Sequence, residues 1–181
     1  MTAVPTDNVA AWLQKVMDKH EGPLLRYAER ILGDADRACD VVQETFMRLL
    51  ESDRSFDSGH LVSWLYTVCR NRCLDICRKE RRMNPLSDYK ERNRPSGEPS
   101  PDVVASGREQ AVRVMGALSA LPANQQEVLR LRFQSSLSYK QIAGVTGLSV
   151  TNVGFLIHTG MQRLRKRFGA AGRPGRAGEM Q

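Results

Sequence analysis

Residues 138–168 leave this chain few ways to fold. Ser138 stands three residues before Gln141, the spacing of a capping box that satisfies the orphan backbone donors of a helix start. Ile142 and the small Ala143 follow, and Ala143 lets a second helix cross closely. Gly147 falls where a turn needs a positive φ, and Leu148 plugs the core behind it. Ser149 can cap a second helix whose inward face is Val153 and Leu156. The run then ends on Arg163, Arg165, Lys166, Arg167 and Phe168. A helix-turn-helix running into a basic helix end satisfies all of these positions and implies DNA binding. The competing reading is a plain αα-hairpin with no nucleic-acid role.

Charge supports the DNA reading. Residues 111–181 hold 10 basic and 2 acidic side chains, net +8, whereas residues 84–110 are near neutral at −1. Within residues 1–83, which balance, positions 1–69 are net −4 and positions 70–83 are net +4. Concentrated positive charge attracts phosphate but names no partner by itself. Residues 84–110 also contain Pro85, Pro95, Pro99 and Pro101 among polar and charged residues, a poor source of buried surface. The chain therefore divides into a unit over 8–83, a linker over 84–108, a unit over 109–168 and a disordered tail over 169–181. The absence of a secretory segment or an apolar run near 18 residues predicts a cytoplasmic protein with no membrane span.

The N-terminal unit reads as helices. Ala38, Val41, Val42, Thr45, Phe46, Leu49 and Leu50 follow helical spacing, with Asp34 and Asp36 at the start where negative charge suits the dipole. Asp40, Gln43, Glu44 and Arg48 take the polar side. An earlier helix carries Trp12, Leu13, Val16 and Met17, with a break at Gly22-Pro23 before Leu24, Leu25, Ala28, Ile31 and Leu32. From Leu61 to Arg82 an aromatic first half, with Trp64 and Tyr66, passes into a basic second half. There Asn71, Asp75, Arg78 and Arg82 share one face. Aromatic surface beside a basic track suits unstacked bases and a phosphate backbone. No alternating strand pattern occurs, so the fold class is all-α. Cys69, Cys73 and Cys77 line one helical stripe, but no His or fourth Cys stands at ligand spacing. They are read as small core side chains, with no metal and no cofactor.

The segment Asp40 to Phe46, with Trp64, Leu65, Arg70, Asn71, Asp75 and Arg78, resembles region two of the extracytoplasmic-function RNA polymerase sigma factors of the sigma-70 family. Leu118, Leu121, Pro122, Glu127 and the 138–149 pattern resemble their region four. The resemblance covers residues 20–168. It implies a non-enzymatic bacterial initiation subunit whose partners are core RNA polymerase and promoter DNA, with an anti-sigma factor as the usual control. Core polymerase would be met by Asp40, Gln43, Glu44 and Arg48. The minus-10 element would be read and melted by Asn71, Asp75 and Arg78, with Arg70 and Arg82 on backbone and Trp64 as aromatic surface. A flipped base would enter beside the loop 55–60, at the cost of unstacking. The minus-35 element would meet the outward side chains Ser149, Thr151, Asn152, Phe155 and His158, with Arg163, Arg165 and Lys166 on phosphates.

This chain departs from the family at the recognition helix, where a Lys or Arg commonly follows the central Val but Gly154 stands here. Asn152 can pair with adenine edges, and Thr151 or Phe155 can touch a thymine methyl. Gly154 either permits a close approach of the helix to its surroundings or marks weak minus-35 reading backed by phosphate contacts. Gln126 also replaces a common Arg, removing a phosphate or activator contact. A stand-alone helix-turn-helix regulator is the alternative function, and it leaves the aromatic-basic helix at 64–82 without a role. An enzyme lacks paired carboxylates at metal spacing, a phosphate-cradling loop and an activated nucleophile.

Overall fold

The computed structural model describes residues 6–52, 58–83 and 105–171. These form helices α1 (Thr6–Leu32), α2 (Ala35–Glu51), α3 (Ser58–Met83), α4 (Ala105–Ser119), α5 (Ala123–Phe133), α6 (Tyr139–Thr146) and α7 (Val150–Ala171), with no strand among the described residues. The all-α expectation holds.

The first three helices share one core. Asp34 caps α2 by accepting from the Arg37 amide at 3.0 Å, which orients the stripe Ala38, Val41, Val42, Thr45, Phe46 and Leu49 inward. Leu50 does not join it and is 55% exposed. At about 100° per residue Leu50 falls beyond Phe46, past the margin of a stripe that already takes the adjacent pairs Val41–Val42 and Thr45–Phe46. The buried Thr45 hydroxyl returns a hydrogen bond to the Val41 carbonyl at 2.8 Å, which satisfies it without a distant partner.

The expected break at Gly22-Pro23 is absent, and α1 runs through Pro23. A mid-helix proline costs roughly 3 kcal/mol. Burial of Val16 before it and of Leu24, Tyr27 and Ala28 after it offsets that cost by holding both sides on α2 and α3. Along α3, Leu61, Leu65, Tyr66, Cys69 and Cys73 are buried and Cys77 is half-buried. The cysteine stripe is therefore core, and all four cysteines are free thiols.

The second unit is built on local chemistry. Ser138 Oγ accepts from the Gln141 amide, and the Gln141 side chain accepts from the Ser138 amide at 2.8 Å. Gly147 takes φ 74° at the end of α6, and its amide reaches the Ala143 carbonyl. Ser149 Oγ accepts from the Asn152 amide and starts α7, and the helix pair turns through 104°. Ile142, Val145, Val153, Leu156 and Ile157 close the core with Val128, Leu129 and Leu131 of α5. At Gly160 helix α7 runs close against α5, since a Cβ there would sit 2.9 Å from Leu129 Cδ1.

Helix α6 also packs on α3, so the buried side chains of the two units form one continuous core. The linker residues before Ala105, residues 55–57 of the loop 55–60 and residues 172–181 lie outside the described residues. Ser58 to His60 of that loop already belong to α3, and α7 extends past 168 to Ala171. No single described helix is long and apolar enough to cross a membrane.

Candidate polymerase and nucleic-acid interfaces

The polar face of α2 is the first candidate surface. Asp40, Gln43 and Arg48 are exposed, whereas Glu44 is half-buried and held between two arginines. Its carboxylate accepts from Arg48 at 2.7 Å and from Arg72 of α3 at 2.6 Å. Glu44 thus fixes two cations beside Gln43. Sequence reasoning missed the apolar half of this surface. Met47 is 59% exposed and, with Leu50, borders a groove floored by Leu13, Met17, Leu25 and Phe46. Gln43 stands on its rim. A methionine on the otherwise polar side of α2 was the available signal.

The second surface runs along α3. Asn71, Asp75, Arg78 and Arg82 are all exposed, and Asp75 accepts from Arg78 at 2.8 Å. The shared face read from their spacing is present. Trp64 is half-buried a turn or more before them. Arg70 departs from the group. Its Nε donates to Glu127 of α5 at 2.8 Å, with the two side chains only 20% and 23% exposed.

The third surface is α7. Ser149, Thr151, Asn152, Phe155 and His158 are exposed, so the outward face is the one expected. Phe155, at 62% exposure, offers an apolar side chain to solvent. Ser149 is committed to capping, and His158 Nε2 shares a hydrogen bond with the Gln162 side-chain Nε2 at 3.1 Å. Arg165 and Lys166 are exposed, but Arg163 donates to the buried Gln125 at 3.0 Å. A Cβ on Gly154 would meet only the Tyr139 ring at 3.7 Å, an ordinary contact. Within the chain, close helix approach therefore belongs to Gly160 and not to Gly154. Gln126 donates to the carbonyls of Ser119 and Leu121, tying the α4–α5 turn.

Glu127 is a hub between the two units. Its Oε1 accepts from the Tyr27 hydroxyl at 2.7 Å as well as from Arg70. Burial first, and then the Glu127 charge, push the Tyr27 phenol well above its ordinary value, so it stays a donor. Tyr27 meets Tyr66 edge to face with centroids 5.0 Å apart, and the Ser135 hydroxyl donates to Tyr66 Oη at 2.8 Å. No sequence signal marked this cluster, in which Tyr27 and Glu127 are 100 residues apart. Among the described residues, no three His, Cys, Asp or Glu side chains converge as a metal would require.

Comparison with known proteins fits this geometry. Sigma-70 region 2 matches residues 16–83, and sigma-70 region 4 matches residues 111–164. The ECF RNA polymerase sigma factor SigL of Mycobacterium tuberculosis is 31% identical over 158 residues, covering 86% of this chain and 88% of its own. The ECF RNA polymerase sigma factor SigE of Mycolicibacterium smegmatis is 28% identical, and this chain spans 59% of its length. In fold, the chain is similar to the sigma factor RpoE of Bartonella quintana, solved with the anti-sigma factor NepR, at a TM-score of 0.65 and 24% identity, covering 86% of this chain and 96% of that one. With both regions in order and SigL matched along nearly its whole length, the chain belongs to the extracytoplasmic-function RNA polymerase sigma factors of the sigma-70 family.

Proposed function

We propose that this chain is an alternative sigma factor that binds core RNA polymerase and directs promoter-specific initiation in the bacterial cytoplasm, without catalytic chemistry of its own. The observation that carries the residue assignment is the exposed row Asn71, Asp75, Arg78 and Arg82 on α3, beside the polar face of α2. The α2 surface of Asp40, Gln43, Glu44 and Arg48, with the apolar Met47 and Leu50 beside it, is the polymerase contact. The α3 row reads and melts the minus-10 element: Asn71 and Asp75 offer hydrogen bonds to opened bases, and Arg78 and Arg82 hold backbone phosphate. Trp64 supplies aromatic surface on the same helix. Helix α7 enters the major groove at the minus-35 element through Thr151, Asn152, Phe155 and His158, while Arg163, Arg165 and Lys166 neutralise phosphates. Residues 8–83 and 109–168 act as the two recognition units, and the linker 84–108 spans between them.

The two promoter elements are, as their names state, about 25 base pairs apart, which is about 85 Å at 3.4 Å per base pair. Tyr27 and Glu127 are 2.7 Å apart in the structure. The described arrangement is therefore a closed form, and reading both elements at once requires the contact around Glu127 to part. Arg70, held by Glu127 in the closed form, becomes free for backbone phosphate on opening. An anti-sigma factor that favours the closed form would silence the protein, a role in keeping with the NepR complex of the Bartonella relative.

Transcription reconstituted with bacterial core polymerase on pooled promoter fragments tests the reading. Transcripts from defined start sites that need this chain, and that vanish when Asn71 and Arg78 are replaced by Ala, are expected. Footprinting of duplex DNA by the chain alone, with no open complexes, would replace this function with that of a stand-alone regulator.

A further inference from the structure

Three guanidinium groups converge where the two units meet. Arg26 and Arg30 of α1 and Arg130 of α5 line a cavity of about 320 Å³, with Tyr66 and Ser135 in its wall. That is roughly ten times the share of liquid volume held by one water, about 30 Å³. No described carboxylate lies within ion-pair distance of these three arginines. Arg130 Nε is buried and has no hydrogen-bond partner among the described residues. Tyr66 accepts from Ser135, which leaves its own hydroxyl proton without a described acceptor.

The electrostatics are unfavourable as they stand. Burial, and then repulsion from Arg30, pushes Arg130 down to about 10. Burial and then Arg26 push Arg30 down, and the neighbouring Glu29 offsets less than Arg26 imposes. Arg26 is exposed and Arg30 and Arg130 are half-buried; cations partly withdrawn from water favour a partner, and an orphaned buried donor calls for an ion or water to meet it.

We propose that this cavity binds an oxyanion of the phosphate class and that the bound anion clamps the two units together. Guanidinium forks match tetrahedral oxyanions, which accept hydrogen bonds in several directions at once. The Arg130 guanidinium from α5, and the Tyr66 hydroxyl, Arg26 and Arg30 from the other unit, line the cavity. Because α1 and α5 lie on opposite sides of the contact, an anion shared between them favours the closed form. The site is separate from the basic end of α7, whose residues do not line it.

The test is thermal unfolding of the full chain at fixed ionic strength, with chloride replaced stepwise by inorganic phosphate. A saturable rise in Tm is expected for the wild type and for the R165Q/K166Q/R167Q variant. Arg130→Gln and Arg30→Gln should each weaken the apparent phosphate affinity at least tenfold. In chloride alone Arg130→Gln should melt no lower than wild type, because it removes a half-buried charge that has no described counter-ion. Small-angle scattering on the same samples should show a smaller radius of gyration in phosphate for wild type and no change for Arg30→Gln. An equal, unsaturated rise in every protein would mean general salt exclusion and would overturn the site. Loss of the effect in the α7 variant alone would move the anion to the helix end and overturn the site equally. Phosphate binding without compaction would refute the clamp. Arg30→Gln, a half-buried α1 position, keeps the test decisive if Arg130→Gln does not fold.

Discussion

Replacing Glu127 by Gln should shift the chain toward its open form by about 2 kcal/mol. The carboxylate accepts from Tyr27 at 2.7 Å and from Arg70 at 2.8 and 3.4 Å. A net hydrogen bond involving a charged group contributes about 1.5–3 kcal/mol, against about 0.5–1.5 for a neutral one. Glutamine keeps the oxygen that both Tyr27 and Arg70 Nε use but removes its negative charge, and its amide hydrogens face Arg70 Nη2. Two short bonds are weakened and the 3.4 Å contact is lost, and partial solvent access at this pair discounts the sum. The result is near 2 kcal/mol, or roughly thirtyfold in the opening equilibrium at 1.4 kcal/mol per tenfold. Energy transfer between dyes on α2 and α7 of the full chain reads the open fraction. A double-mutant cycle with Tyr27→Phe, which keeps the ring against Tyr66, isolates the Tyr27–Glu127 coupling. Unchanged transfer efficiency, or a coupling indistinguishable from zero, would refute the assignment of Glu127 as the latch between the units.

Alkaline pH should open the same contact. The folded phenol of Tyr27 titrates above its ordinary value, so its contribution is complete below pH 10 and is lost as pH rises toward the folded value. Urea midpoints measured from pH 9 to 11 should fall in the wild type and fall less in Tyr27→Phe. The two glycines of α7 should respond with opposite signs. Gly154→Ala should stabilise by about 0.5–1 kcal/mol, because the new Cβ finds only an ordinary contact with Tyr139. Gly160→Ala drives a Cβ against the buried Leu129 and should destabilise by about 1 kcal/mol after its propensity gain is set against overpacking; chemical unfolding distinguishes them. Replacing Arg165 and Lys166 by Gln should weaken duplex binding by region four and reduce the salt slope by about 2, with sequence preference unchanged.

Legibility from sequence followed the range of the interactions. The α6–α7 turn was readable because its determinants lie within four residues of one another. Ser138 with Gln141, Gly147 with Ala143, and Ser149 with Asn152 each act inside a single turn. The exposed rows on α2 and α3 were readable for the same reason, since helical period alone separates Asp40, Gln43 and Glu44 from Val41 and Val42. Pro23 misled because local propensity was overruled by packing on either side of it. Leu50 misled because an apolar residue next to a core stripe looks like part of it, although the helix turns it toward solvent. The Tyr27–Glu127–Arg70 cluster had no local signature at all. Nothing in residues 24–30 or 124–130 requires the other, and only the tertiary arrangement brings them together.

The thiols of α3 turn its burial into a chemical reporter. Cys69 and Cys73 have no solvent exposure, and hydrogen bonding to Cys73, with burial, pushes the Cys69 thiol up, so it stays neutral. Cys39 stands exposed on α2. A maleimide or iodoacetamide therefore reacts at once with Cys39, and reaches Cys69 and Cys73 only through local unfolding of the α3 core. The order of alkylation then times the loosening of the N-terminal helices separately from any swing of the C-terminal ones, with no engineered label.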